Sequence, residues 1–399
     1  LKKWLKNVRI ETGYYSHDDY ISGTKTKNVD ILINEKRIEK IRAHSNEFNG
    51  LDVQDGQGNL IIPAIREMHC HFDKSKLGLP WQPLAPAASI VDRFEKEIPQ
   101  LEQASLSLSE RMHRLVELEQ SHGVSFFRSH IDVHPKVGQK YLQQTLATLS
   151  EYQEKFSYEL VAFPQHGLLR SHAYQEVKTS LENGANLVGG VDPNALDGNV
   201  VKSLEQTFKL ATSHNAPIDL HLHERGNLGK ETFYEILKQT KANQWQGKVT
   251  ISHAFGLNDF SGQERQDFFQ QLAENQIAIF SSVPLDGSIP PLEELRKAGV
   301  QVALGCDNVY DSWSPFGNGN VLEKLNRYNE IFGITTQKGL TDSLMLVTGK
   351  KTIVPDGIWL KPGMKANFTL VDSSCSAEFV ARQSTVKASY YHGQRFQIG

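Results

Sequence analysis

Two histidines, His69 and His71, stand one residue apart in "MHCHFDKS", directly after the apolar run "NLIIPAI". Side chains alternate on a strand, so both imidazoles point one way and Cys70 the other. Two imidazoles on one face can share a metal ion. Polar residues close other apolar runs in the same manner: Gln165 in "ELVAFPQ", His221, His223 and Glu224 in "IDLHLHE", His253 in "KVTISHA" and Asp307 in "VQVALGCD". His221 can supply a third nitrogen and Asp307 an oxygen. Such a set suits a borderline divalent ion, zinc first and ferrous iron as the alternative. A fourth-position water then has its pKa lowered from about 16 to roughly 7, which gives hydroxide at neutral pH. The HxH pair alone is a weak signal. Joined by two more histidines and an aspartate at strand ends, it reads as a hydrolytic metal centre.

The elements that must carry these residues follow from the apolar pattern. "LIIPAIREMHCHF", "VSFFRSHI", "ELVAFPQ", "NLVGGVD", "IDLHLHE", "KVTISHA", "IAIFSS" and "VQVALGCD" read as eight strands. Between them lie helical patterns such as Ser109 to His122, "VKSLEQTFKLATSH", "TFYEILKQTKAN", "QERQDFFQQLAEN" and "PLEELRKAG". The alternation predicts an α/β fold, a (β/α)8 TIM barrel with its chemistry at the C-terminal ends of the strands. An open doubly wound sheet is the competing architecture, but no GxGxxG follows the first strand. Both chain ends are β-rich. "VDILINEKRIEKI" reads as a hairpin turning at Asn34 to Lys36, and "ANFTLVD" with "VKASYYHGQRFQI" answers it from the other end. The expected organisation is a composite β-sandwich of residues 1–60 and 355–399 around a barrel of residues 61–354.

Composition narrows the function. The 399 residues carry a formal net charge of −3, which argues against a nucleic-acid partner. The basic run "LKKWLK" reads as a solvated chain end. No apolar stretch of about 18 residues is present to span a membrane, and the N-terminus lacks an apolar signal core. Three widely spaced cysteines, Cys70, Cys306 and Cys375, form no disulfide framework, so a cytoplasmic setting is expected.

The motifs "PAIREMHCHFDKS", "RSHIDVHP", "VAFPQHG", "LVGGVDP", "DLHLHERG", "ISHAFGL" and "GCDNVYDSWSPFGNGN" resemble the amidohydrolase superfamily across nearly the whole chain. The sequence is similar to the cytosine deaminase branch, and within it to the N-isopropylammelide isopropylaminohydrolase type. This resemblance implies that His69, His71, His221 and Asp307 ligate one metal, with His253 beside the attacking hydroxide. It implies that Glu224 shuttles protons, that Gln165 hydrogen-bonds the heterocycle and that Trp313 walls the pocket. His223 stands where cytosine deaminases usually have an acid, and Asn308 where they have a second Asp. Lys74 is shared with the isopropylammelide type. These three positions belong to the substrate end, where Lys74 and His223 would hold an oxyanionic ring, and His223 is a rival for the proton work. Binuclear members carry a bridging lysine on the fourth strand; "NLVGGVD" has none, so one metal is expected. His130, His134 and His166 are placed near the site, and relatives of this kind assemble as homo-oligomers.

The expected function is a mononuclear aminohydrolase that replaces an amino or alkylamino group on a small N-heterocycle by oxygen. Its partner is then a small heterocyclic substrate. The alternatives are a metal-dependent amidase or cyclic-amide hydrolase and a non-catalytic ligand-binding barrel.

Overall fold

The computed structural model describes residues 2–48, 52–349, 353–354 and 359–396. The first strands belong to a sheet outside the barrel: β1 (Lys2–His17), β2 (Tyr20–Asn34), β3 (Arg37–Ala43), β4 (Asp52–Asp55) and β5 (Leu60–Pro63). Lys2–Lys6 of the "LKKWLK" run open β1, with Lys2 exposed and Trp4 and Leu5 buried. β1 and β2 pair antiparallel over most of their length, and Val8, Val29, Ile31 and Ile33 supply the buried face.

Eight parallel strands follow in chain order: β6 (Ile65–Cys70), β7 (Val124–Asp132), β8 (Ser157–Phe163), β9 (Leu187–Val191), β10 (Ile218–His221), β11 (Val249–Ser252), β12 (Ala278–Ser281) and β13 (Val302–Leu304). Each pairs with its neighbour in sequence. A parallel bridge between Cys70 and Asp307 brings the last strand to the first, and the Asp307 N–H donates to the His69 carbonyl at 2.7 Å. Each of the eight expected strands is found. The first expected run, however, divides at Ala64: β5 joins the terminal sheet, and only β6 enters the barrel. The intervening helices bury one stripe each against the strands. In Leu108–Ser121 this stripe is Met112, Leu115 and Val116, entered through a Ser107/Glu110 capping box.

The C-terminal strands β14 (Phe368–Val371), β15 (Val386–Tyr391) and β16 (Gln394–Phe396) return to the first sheet. β14 pairs antiparallel with β5, so the two chain ends form one hydrogen-bonded sheet. The boundary expected at residue 355 lies outside the described residues, as do the last residues of the "VKASYYHGQRFQI" run.

Candidate active site

The ends of β6, β10, β11 and β13 converge. His69 Nε2 and His71 Nε2 lie 3.4 and 3.3 Å from Asp307 Oδ1. The His221 ring centroid is 4.6 Å from that of His69, and the His253 centroid is 4.9 Å from it. The β6–β7 register shifts between Glu67 and Cys70, an irregularity of the kind that re-aims side chains. Gly305 permits the close approach of the chain before Asp307, since a Cβ there would stand 2.5 Å from the His69 nitrogen.

Two overlapping groups here could hold a divalent cation, His69 with His130 and His221, and His69 with His253 and Asp307, each with ligand atoms within 4.8 Å of one another. His69 Nε2 and both ring nitrogens of His221 are buried without a hydrogen-bond partner among the described residues. Burial and the surrounding imidazoles hold His221 well below its ordinary pKa, so it is a neutral donor. Burial opposes charge on Asp307, but His253, His69 and His71 hold its carboxyl well below the usual range. His130, at the end of β7, lies within the same cluster. Its ring is 4.3 Å from that of His69 and 4.4 Å from that of His221, and neither nitrogen has a hydrogen-bond partner among the described residues.

A polar chain beneath the site sets the His69 tautomer. Ser252 Oγ donates to Asp219 Oδ1 at 2.7 Å and therefore accepts from His69 Nδ1 at 2.9 Å. Asp219 is anchored by Arg128 at 2.9 Å, which also binds Glu159 at 2.7 Å. His69 Nδ1 is thus the protonated nitrogen, which leaves the Nε2 lone pair free for a metal. Ser252→Ala is expected to weaken metal affinity by about 10–100-fold while the fold persists, as read by competition with a chelator.

Above these residues lies a cavity open to solvent. Phe94, Phe163, Val191 and Trp313 form apolar walls, and Lys74, Gln165, His223 and Asn308 supply polar groups. Every expected substrate residue therefore lines the cavity. Lys74 is 1% exposed. Burial disfavours its charge, but Glu97, Asp73 and Asp132 outweigh that and raise its pKa.

His223 Nδ1 donates to Asp192 Oδ2 at 2.9 Å, and its backbone N–H donates to Oδ1 at 2.7 Å. Its ring stacks on His253 with centroids 4.5 Å apart. Burial lowers its affinity for a proton, yet Asp192 brings the net pKa above the ordinary value.

Glu224 is not among the cavity-lining residues. Its Oε1 accepts from the Asn194 and Ala195 N–H groups, each at 2.7 Å, and its Oε2 accepts from the Thr232 hydroxyl. The cause is local: β10 ends at His221, and the chain turns toward the helix Gly226–Ala242. His221 and His223 face the cavity, while Glu224 faces the loop after β9. His134 and His166 are not among the cavity-lining residues either. They stack on each other at 4.0 Å, buried beside Asp132.

Sequence reasoning missed Glu97, Asp192 and the Ser252–Asp219 pair. Glu97 sits on the helix Ile90–Glu102, whose signals were Ser89 as N-cap and Phe94, Ile98 and Leu101 at helical spacing. Pro99 inside that pattern conceals it.

A family model described as "Amidohydrolase family" matches residues 143–396. The uncharacterized protein YahJ of Escherichia coli (strain K12) is 36% identical over 400 residues, covering 98% of this chain and 86% of that protein. The crystal structure of N-isopropylammelide isopropylaminohydrolase from Burkholderia multivorans ATCC 17616 superposes with a TM-score of 0.87 at 30% identity, covering 99% of this chain and 97% of that one. The fold is shared with 5-methylcytosine deaminase from Klebsiella pneumoniae liganded with phosphonocytosine, at a TM-score of 0.80 and 22% identity, covering 100% of this chain and 98% of that one.

Proposed function

The chain belongs to the amidohydrolase family, hydrolases of carbon–nitrogen bonds, and from that premise we propose a mononuclear metal-dependent aminohydrolase acting on a small nitrogen heterocycle. The reaction breaks the bond from a ring carbon to an amino or alkylamino nitrogen and forms a carbon–oxygen bond from water. The observation that carries this reading is the convergence of three buried imidazoles and one carboxylate, from the ends of the first, fifth and eighth barrel strands, beside a cavity walled by aromatic rings.

His69, His71, His221 and Asp307 would hold the divalent ion, with zinc as the leading candidate. When bound, such an ion acidifies water and so supplies a nucleophile at neutral pH. The remaining work falls to the chain. The Asp307 carboxylate takes a proton from the attacking water. His253, stacked on His223 beside Asp307, orients the attacked centre. His223, held through Nδ1 by Asp192, passes one of the water's two protons through Nε2 to the ring nitrogen, and the second, released as the new carbon–oxygen bond becomes a carbonyl, to the departing amine. Trp313 and Phe94, with ring centroids 5.5 Å apart, wall the ring. The relatives' substrates, an alkylaminotriazine and a methylcytosine by name, fit this reading. A cytoplasmic, homo-oligomeric enzyme is part of the same proposal.

The test is to incubate the metal-loaded protein with aminated pyrimidines, triazines and pterins and to assay free ammonia or amine. Release from one of these classes is expected. If none releases amine while a cyclic amide is opened to a carboxylate, the amidase reading replaces this one.

A further inference from the structure

We propose that Gln165 and Asn308 both present their carbonyl oxygens to the ligand and that Glu97 enforces this for Gln165 as a positioning residue. The site would then select rings in the lactam form, with ring N–H donors beside a carbonyl or oxyanion. This deepens, and rests on, the reading of the cavity as a heterocycle site.

Glu97 is 1% exposed and bonds to three groups of the cavity wall. Its Oε1 accepts from Trp313 Nε1 at 3.0 Å, and its Oε2 accepts from Lys74 Nζ at 3.2 Å and from Gln165 Nε2 at 2.7 Å. An indole N–H and an ammonium can only donate. Both Glu97 oxygens are therefore acceptors, and only the NH2 end of Gln165 can face them. Reversing that amide would set two acceptor oxygens against each other. Gln165 Oε1 is left for the cavity, with no protein partner among the described residues.

The same logic holds for Asn308. Buried Asp311 accepts the backbone N–H groups of Trp313 and Ser314 on Oδ1, at 2.7 and 2.9 Å, and Asn308 Nδ2 on Oδ2 at 2.7 Å. Burial pushes the Asp311 carboxyl up to about 6, still an ionised acceptor at neutral pH. Asn308 Oδ1 is thus the end left for a ligand. The resemblance implied that Gln165 hydrogen-bonds the heterocycle; in the structure its donor end is already spent on Glu97.

The polar inventory at this end of the cavity is two acceptors and one cation. A bare ring nitrogen facing Gln165 would meet a carbonyl oxygen and lose its hydrogen bond. A lactam edge satisfies both neighbours, N–H to Gln165 Oε1 and C=O to Lys74 Nζ. An exocyclic N–H meets Asn308. The substrate class is therefore amino- or alkylamino-substituted rings that carry at least one lactam unit, as opposed to fully aromatic aminated rings.

The test is equilibrium binding of uracil and cyanuric acid, each against its mono-N-methyl derivatives, to metal-loaded protein. Wild type is expected to bind the N–H rings about tenfold or more tightly than at least one N-methyl derivative, the worth of one buried hydrogen bond. Glu97→Gln frees Gln165 to turn, so that preference is expected to fall below about threefold with metal content unchanged. Gln165→Met is the second variant: the N–H ring loses about tenfold and the N-methyl ring is unaffected. A wild-type protein that does not discriminate overturns the inference, as do variants that weaken both rings alike. If no ring binds to the metal-loaded protein, the heterocycle reading itself fails, and this inference fails with it.

Discussion

His221→Ala is expected to abolish both metal retention and turnover while leaving the fold largely intact. Both ring nitrogens of His221 are buried without a hydrogen-bond partner among the described residues, and Phe163 stacks on it at 4.1 Å with His130 at 4.4 Å. A histidine that served the core alone would have one nitrogen bonded to the protein. This one gains its partner only from a cation. Its loss removes one of three nitrogen donors, and amine release should fall by about 10³-fold or more, or about 4 kcal/mol of barrier. Elemental analysis of the variant should show well under one metal per chain. Full metal content with normal turnover would break the proposed ligand set.

The second large effect separates two neighbours. His223→Phe is expected to lower kcat by about 10²–10⁴-fold with metal still bound, because the proton carrier is gone while the cavity wall remains. Glu224→Gln should behave differently. An amide there keeps its oxygen on the N–H groups of Asn194 and Ala195 and donates its NH2 to the Thr232 hydroxyl, which turns its own proton to the Leu228 carbonyl. Exchanging a charged acceptor for a neutral one costs about 1 kcal/mol of stability. It lowers the melting temperature and leaves the rate per folded, metal-loaded molecule within about tenfold of wild type. The two are separated by thermal melts alongside single-turnover amine release. A stable Glu224→Gln protein with collapsed turnover would return the proton work to Glu224.

These assignments show where the sequence is informative. The barrel was legible because each strand is a short apolar run, and the strand-end positions of His69, His71, His221, His253 and Asp307 marked the site without any contact information. Features that depend on residues distant in sequence were not legible. Asp192, 31 positions from His223, decides which nitrogen of that ring is protonated. Ser252 and Asp219 do the same for His69 from two other strands. Glu97 was hidden by Pro99 within its helix. The direction of Glu224 was not legible because the "HLHE" motif shows adjacency alone, and past the strand end the direction is set by the turn into the next helix. The division of the first apolar run at Ala64 was hidden for a similar reason. Leu60–Pro63 and Ile65–Cys70 look like one strand until their pairing partners, β14 and β7, are known.

The most direct measurement strips the purified protein with a chelator, restores metal in graded amounts and follows metal content and amine release on the same samples. One divalent ion per chain is predicted, with no amine release from the stripped protein and activity that rises in proportion to ion bound up to one equivalent. Undiminished amine release from the stripped protein, or failure of the four-residue cluster to take up any ion, would contradict a metal-centred mechanism at this site.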